Sequence, residues 1–129
     1  MFKAAQEIDR IYDNNGAPGL RLFDNGRLVG FDGSSIGFLT QGNVYDYNGI
    51  HRGWYLNGIL RDHFGACVGF GQQVTTNTHP FFPFKQLAPL PSLVELEPLR
   101  PFKSFPPFKP FFGFQWSDYD PISLFEIYP

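Results

Sequence analysis

From Phe81 to Phe111 every third residue is Phe or Leu without a break: Phe81, Phe84, Leu87, Leu90, Leu93, Leu96, Leu99, Phe102, Phe105, Phe108 and Phe111. The register before it is mostly proline (Pro80, Pro83, Pro89, Pro98, Pro101, Pro107, Pro110). Proline removes a backbone donor and fixes φ, so neither an α-helix nor a central strand can run through this stretch. A polyproline II helix has three residues per turn, which turns the stripe into one continuous apolar edge on an extended rod. At ~3.1 Å per residue the rod would span roughly 100 Å if straight, far beyond the ~14 Å radius of gyration of a compact domain of this size. It must therefore wrap its own domain or lie on neighbouring copies, and the stripe calls for cover.

The rest of the chain has to supply what the rod is attached to. Gly16, Gly33, Gly49 and Gly65 recur at spacings of 17, 16 and 16. Five residues before each stands an aliphatic (Ile11, Leu28, Val44, Leu60), and three before each stands Asp13, Gly30, Asp46 or Asp62. Four after the last three come Gly37, Gly53 and Gly69, each followed by an aromatic, Phe38, Trp54 or Phe70. A second glycine set, Gly26, Gly42 and Gly58, lies between the units. One unit reads as strand, tight turn, strand, tight turn. Asn15-Gly16, Asn25-Gly26, Asn48-Gly49 and Asn57-Gly58 are hairpin signals, because a type I′ turn needs φ > 0 at both central residues. Strands this short bury little alone, so four hairpins sharing an axis must pool the aliphatic and aromatic sets in one core. The glycine before each aromatic leaves room for another backbone to approach.

The fold class that follows is all-β: a rosette of four β-hairpins, about eight short strands on a ~16-residue repeat, with an extended Pro/Phe-rich tail and a short C-terminal helix. Residues 1–10 read as a docking segment with one or two helical turns, 11–71 as the hairpin domain and 72–79 as a polar linker. Residues 80–114 form the striped tail, with the proline-poor 92–99 able to pair as a strand, and 115–129 a terminal element. There, Asp120 at an N-cap and Pro121 at the first helical position predict a helix start.

Asp46-Tyr47-Asn48-Gly49, Gly53-Trp54-Tyr55, Asn57-Gly58, the proline triplets and Trp116-Ser117 together resemble the four-fold β-flower family of small bacterial proteins. The resemblance implies a rosette of four hairpins followed by a Pro-rich tail ending in a Trp-Ser element. No activity is established for that family, so it brings no catalytic residue. The tail departs from it by placing phenylalanine where Val and Arg are expected. Gly53-Trp54-Tyr55-Leu56-Asn57-Gly58 also resembles choline-binding and other wall-binding repeats, although the doubled aromatic occurs once. That likeness implies a glycan- or envelope-binding role for Trp54, Tyr55 and Tyr45.

Chemistry is sparse. Asp13, Asp46 and Asp62 could serve acid–base work, but each sits where an Asp caps its own turn. His51 and Cys67 share a repeat position with Ser35 and Pro18, so a ring of the four could bring nucleophile and base, or two metal ligands, together. His63 lies on a turn without ligand spacing to either, and a packed thiol and a partly exposed His are the simpler expectation. We therefore expect no catalytic, cofactor or metal residue. A net charge of −2 argues against a nucleic-acid surface. No window carries the ~18 consecutive apolar residues of a membrane span. The N-terminal residues lack a secretory apolar stretch, so a cytoplasmic location is the default expectation. The motif Pro98-Leu99-Arg100-Pro101 fits a PxxP ligand. A stripe that needs burial points more strongly to a homo-oligomer joined through Phe81, Phe84, Leu90, Phe102, Phe105, Phe108 and Phe111. The glycan-binding reading is second, and an enzyme resting on Cys67 and His51 is third.

Overall fold

A computed structural model describes residues 4–126. Eight antiparallel strands follow one another around a closed barrel: β1 (Glu7–Tyr12), β2 (Pro18–Phe23), β3 (Arg27–Gly30), β4 (Ser35–Thr40), β5 (Asn43–Tyr45), β6 (His51–Leu56), β7 (Ile59–Arg61) and β8 (Cys67–Phe70). The barrel closes through the pairing of Tyr12 with Phe70. Residues 7–10, read as helical from sequence, belong to β1; alternation along a strand that pairs with β2 outweighs a weak local helical pattern too short to stand alone. Residues 1–3 of that segment lie outside the described residues.

Two turn types alternate. At one rim, Asp13, Gly30, Asp46 and Asp62 begin equivalent turns in which the glycine N–H three residues on donates to their carbonyl, as Gly16 does to Asp13 (3.0 Å) and Gly49 to Asp46 (3.1 Å). Only the glycine takes positive φ there (+78°, +90°, +82° and +81° at Gly16, Gly33, Gly49 and Gly65). Asn15-Gly16 and Asn48-Gly49 are thus not type I′ turns, and neither is Asn25-Gly26. Type I′ geometry, with both central residues at positive φ, occurs at the opposite rim at Asn57-Gly58 and also at Gln41-Gly42. At that rim each turn glycine carbonyl accepts from the following hairpin: Gly26 from Leu39, Gly42 from Tyr55, Gly58 from Gly71.

The aliphatic set Ile11, Leu28, Val44 and Leu60 is at most 1% exposed and forms the core with Leu20, Leu22 and Val68. Gly37, Gly53 and Gly69 allow the strands to close on this core, since a Cβ at each would overlap the carbonyl oxygen of Tyr45, Arg61 or Tyr12. The aromatic set is buried too, but on the other face. Val44 pairs with Gly53, so Trp54 points away from the core, as period-two alternation requires. Phe38, Trp54 and Phe70 are covered from outside by the tail: Arg100 over Phe38, Phe112 against Trp54, Phe82 stacked on Phe70. The expectation of one pooled core is corrected to two layers, aliphatic within and aromatic without.

Residues 80–114 encircle the rim as a belt without helix or strand, including 92–99. Gln86, Glu95, Ser104 and Gly113 donate their N–H groups to the carbonyls of Gly16, Gly33, Gly49 and Gly65, at 2.8, 3.0, 2.9 and 3.1 Å. The donors are nine residues apart, one nonapeptide per hairpin. Nine residues are three turns at three per turn, so each nonapeptide presents the same faces to its hairpin. The belt is followed by Trp116, which bridges Cys67, with Cys67 N–H donating to Gln115 O (3.0 Å) and Ser117 N–H to Cys67 O (2.8 Å). Where a helix starting at Asp120 and Pro121 is expected, the structure has a 3-10 turn, Ser123–Phe125, with Ile122 at its N-cap; Asp120 Oδ1 accepts from the N–H groups of Ile122 and Ser123 just before it (2.9 and 2.8 Å). The turn inserts Leu124 into the core, and residues 127–129 of the expected terminal element lie outside the described residues.

Candidate interaction surface

The belt has an inner and an outer register. Its inner residues bind the barrel: Phe82 stacks on Phe70 with centroids 4.2 Å apart, Lys85 lies over Tyr12, and Glu97 accepts from Tyr47 Oη (2.7 Å) and Arg100 Nε (2.8 Å). Burial pushes the Glu97 carboxyl up, but Arg100 and Tyr47 overcome this and hold it below its usual value. Burial, and after it the contact with Glu97, raises the Tyr47 hydroxyl. The outer register is the apolar stripe itself, and all eleven side chains from Phe81 to Phe111 are 94–102% exposed. The stripe therefore gains no cover from its own chain. The belt wraps its own barrel with a mixed face inward: its N–H groups meet the rim carbonyls, and Phe82, Arg100 and Phe112 pack on the outer aromatic layer.

Arg61, at the end of β7 and 1% exposed, closes the belt on itself. Its guanidinium donates to Gly65 O (3.0 Å), to Gly113 O (2.6 Å) where the belt ends, and to Thr78 O just before it begins. Beside it Phe82 and Trp116, from the two ends, meet with centroids 6.0 Å apart. Neither the role of Arg61 nor the nonapeptide follows from the period-three reading. A sequence signal for the repeat does exist: Pro80, Pro89, Pro98 and Pro107 are nine apart.

The other candidates have structural partners. Asp13, Asp46 and Asp62 each cap their turn, with Oδ1 accepting two backbone N–H groups at 2.8–3.0 Å. Asp62 Oδ2 also accepts from Ser117 Oγ at 2.5 Å, anchoring the Trp-Ser element. Trp54 and Tyr45 are buried, the first under Phe112 and the second beside Phe38 and His51. The Tyr55 hydroxyl is bonded to Asp9. A sugar ring would have to displace the belt to stack on Trp54.

Cys67 is fully buried, its thiol donates to Gly69 O at 3.6 Å, and burial pushes it up to about 12. His51 does not pair with it. Instead His51 Nδ1 lies 2.9 Å from His63 Nε2 and His51 Nε2 3.0 Å from Asn43 Oδ1. His63 is thus brought to His51 after all, because the turns of neighbouring hairpins stand side by side at the rim. With Asn43 Oδ1 accepting, His51 donates through Nε2 and accepts through Nδ1 from His63 Nε2, so both nitrogens of neutral His51 have partners. Burial, with His63 adding to it, lowers His51 to about 4. Among the described residues no group of three or more His, Cys, Asp or Glu is arranged to hold a metal ion.

The His51 shift has a pH consequence. A histidine depressed in the folded state stabilises fully above its unfolded value near 6.5 and loses that contribution as pH falls towards 4. The melting temperature should decline between pH 6.5 and 4.5, with an underlying change on the order of 2–3 kcal/mol. Glu7 and Glu97 are both held low and protonate below this window. A flat profile across it would show that the pair binds a proton as readily folded as unfolded.

The barrel of four equivalent hairpins, its belt and its terminal plug coincide with the span of one family model, "4-fold beta flower protein", which matches residues 9–125. The chain belongs to the 4-fold beta flower family. No curated protein and no solved structure matches it significantly. In this beta flower the matched span starts within β1 and ends in the 3-10 turn, so the belt is part of the family pattern. No helix among the described residues is long and apolar enough to cross a membrane.

Proposed function

We propose that this beta flower is a non-enzymatic structural or binding module that associates with further copies of itself through the outward stripe of its belt, as the subunit of a filament or layer. The observation that carries this reading is the exposure of the whole stripe, Phe81, Phe84, Leu90, Phe102, Phe105, Phe108 and Phe111 included, on a belt bonded to its own barrel at every hairpin. Burying a large apolar side chain stabilises by ~1.5–3 kcal/mol, so eleven left in water amount to a strong drive for association. Because the stripe runs around the barrel, one neighbour covers only an arc of it, which favours extended assembly. The turn-capping aspartates, the buried thiol and the doubly bonded His51 support a role without bond chemistry.

The test is to replace Phe102, Phe105 and Phe108 with Ser and to measure particle mass by sedimentation alongside the melting temperature. We expect lighter particles and a nearly unchanged melting temperature, since these rings touch nothing in their own chain. Equal mass for the triple variant and the natural protein would end the idea of a belt-mediated assembly.

A further inference from the structure

The belt's four quarters are not alike, and their differences sit on opposite sides of the barrel. The nonapeptide over Gly33 shows Leu90, Leu93 and Leu96 to solvent; the one over Gly65 shows Phe108 and Phe111, with Phe114 and the turn residue Phe64 exposed beside them. In a closed barrel of four successive hairpins the second and fourth, which carry these quarters, face away from each other. Their charges differ as well. The leucine quarter carries exposed Asp32 and Glu95, whose carboxylates accept from Ser34 (N–H 3.0 Å, Oγ 2.6 Å) and from Ser35 N–H (2.8 Å) and are in no ion pair among the described residues, above an Arg27 that donates to Ser35 Oγ and the Glu95 carbonyl. Glu97 is already matched by Arg100. The phenylalanine quarter carries Lys109, exposed and likewise without an ion pair, with Lys103 on the approach to it.

We propose that copies of this chain join head to tail, the leucine quarter of one belt packing on the phenylalanine quarter of the next. The inference rests on the self-association reading and specifies its contact. Like quarters brought together would set Lys109 against Lys109, or Asp32 and Glu95 against themselves, whereas unlike quarters place lysine against carboxylate at the edge of an apolar centre. The three leucines and the phenylalanines facing them cover roughly 1,000 Å² with both sides counted, at ~150 Å² for each large side chain, which reaches the lower end of specific interfaces. A contact between unlike faces is heterologous and repeats until it closes. Because the two faces lie half a turn apart, successive copies extend in a line rather than bending into a small ring.

Two capped variants test this. One has Phe108→Ser and Phe111→Ser, which removes the phenylalanine face and keeps the leucine quarter; the other has Leu93→Ser and Leu96→Ser, which removes most of the leucine face and keeps the phenylalanine quarter, the first and third quarters being the same in both. All four side chains point outward, so each variant should keep the fold. Under sedimentation the natural protein should grow in mass with concentration, each variant alone should be monomeric, and their equimolar mixture should stop at a heterodimer. Raised salt should weaken that heterodimer several-fold. A variant that dimerises by itself, or a mixture that grows past the dimer, would overturn the head-to-tail contact while leaving self-association standing. A natural protein that stays monomeric at all concentrations would overturn both; if it then sediments with vesicles of anionic lipid, the stripe belongs to a membrane surface.

Discussion

Replacing Arg61 with methionine should open the belt and lower the stability of the protein by about 3–5 kcal/mol. The methionine fills much of the same space, so packing is largely kept and the loss is polar. Two carbonyls, those of Thr78 and Gly113, lose their donor together, while that of Gly65 keeps the Gly113 N–H, and an unsatisfied buried carbonyl costs ~1–3 kcal/mol. The cost is unevenly placed: it falls on both ends of the belt at once. Limited proteolysis should therefore cut first within 79–114, before the barrel unfolds. Arg61→Lys keeps a charge but replaces a planar fork with one compact group, and should recover only part of the loss. If Arg61→Met unfolds at the same denaturant concentration as the natural protein, the buckle has no mechanical role and the belt is held by its nonapeptide bonds alone.

The second large effect separates backbone strain from belt contact. Gly42 and Gly49 have nearly the same φ, +80° and +82°, so alanine at either meets a similar left-handed penalty of ~1 kcal/mol. Their surroundings differ. A Cβ at Gly42 meets the end of the Leu56 side chain, which can swing aside, whereas at Gly49 it would overlap the Phe102 carbonyl oxygen, part of the belt backbone. Gly42→Ala is thus expected to cost about 1 kcal/mol, and Gly49→Ala roughly 3 kcal/mol, because the belt must lift from its hairpin and give up the bond from Ser104. Urea midpoints for the pair decide the matter. Equal losses would mean that the belt adapts to a methyl group without cost, and that glycine is needed there for the turn alone.

Much of the architecture can be read in the chain because the physics is local and repeated. Positions such as Gly16, Gly33, Gly49 and Gly65 announce themselves through φ, and Ile11, Leu28, Val44 and Leu60 through spacing, so four hairpins and their aliphatic core follow. What stayed hidden depends on which surface meets which. Phe38, Trp54 and Phe70 look like core residues by hydrophobicity, and only the strand register reveals that they lie on the outer layer. The stripe raises the same question: its apolar character calls for cover without saying whether its own barrel or a neighbouring copy supplies it, and only the structure shows that the other registers bond to the barrel and leave the stripe outward. His63 and Arg61 are distant in sequence from what they touch, His51 across the neighbouring hairpin and Thr78 and Gly113 across the belt. Such pairings arise only when the barrel closes.

The match of one nonapeptide to one hairpin restricts how the gene for such a chain can change. Deleting a single residue anywhere between Pro80 and Phe111 would turn every later side chain by a third of a rotation and take the stripe's phenylalanines out of their outward register. Losing three residues would restore the facing but leave the N–H groups short of their glycine carbonyls. Only a loss or gain of nine residues keeps both, and it would strand the belt unless a hairpin of about sixteen residues came or went with it. Viable length variants of this chain should therefore add or remove a petal and its segment of belt in the same event.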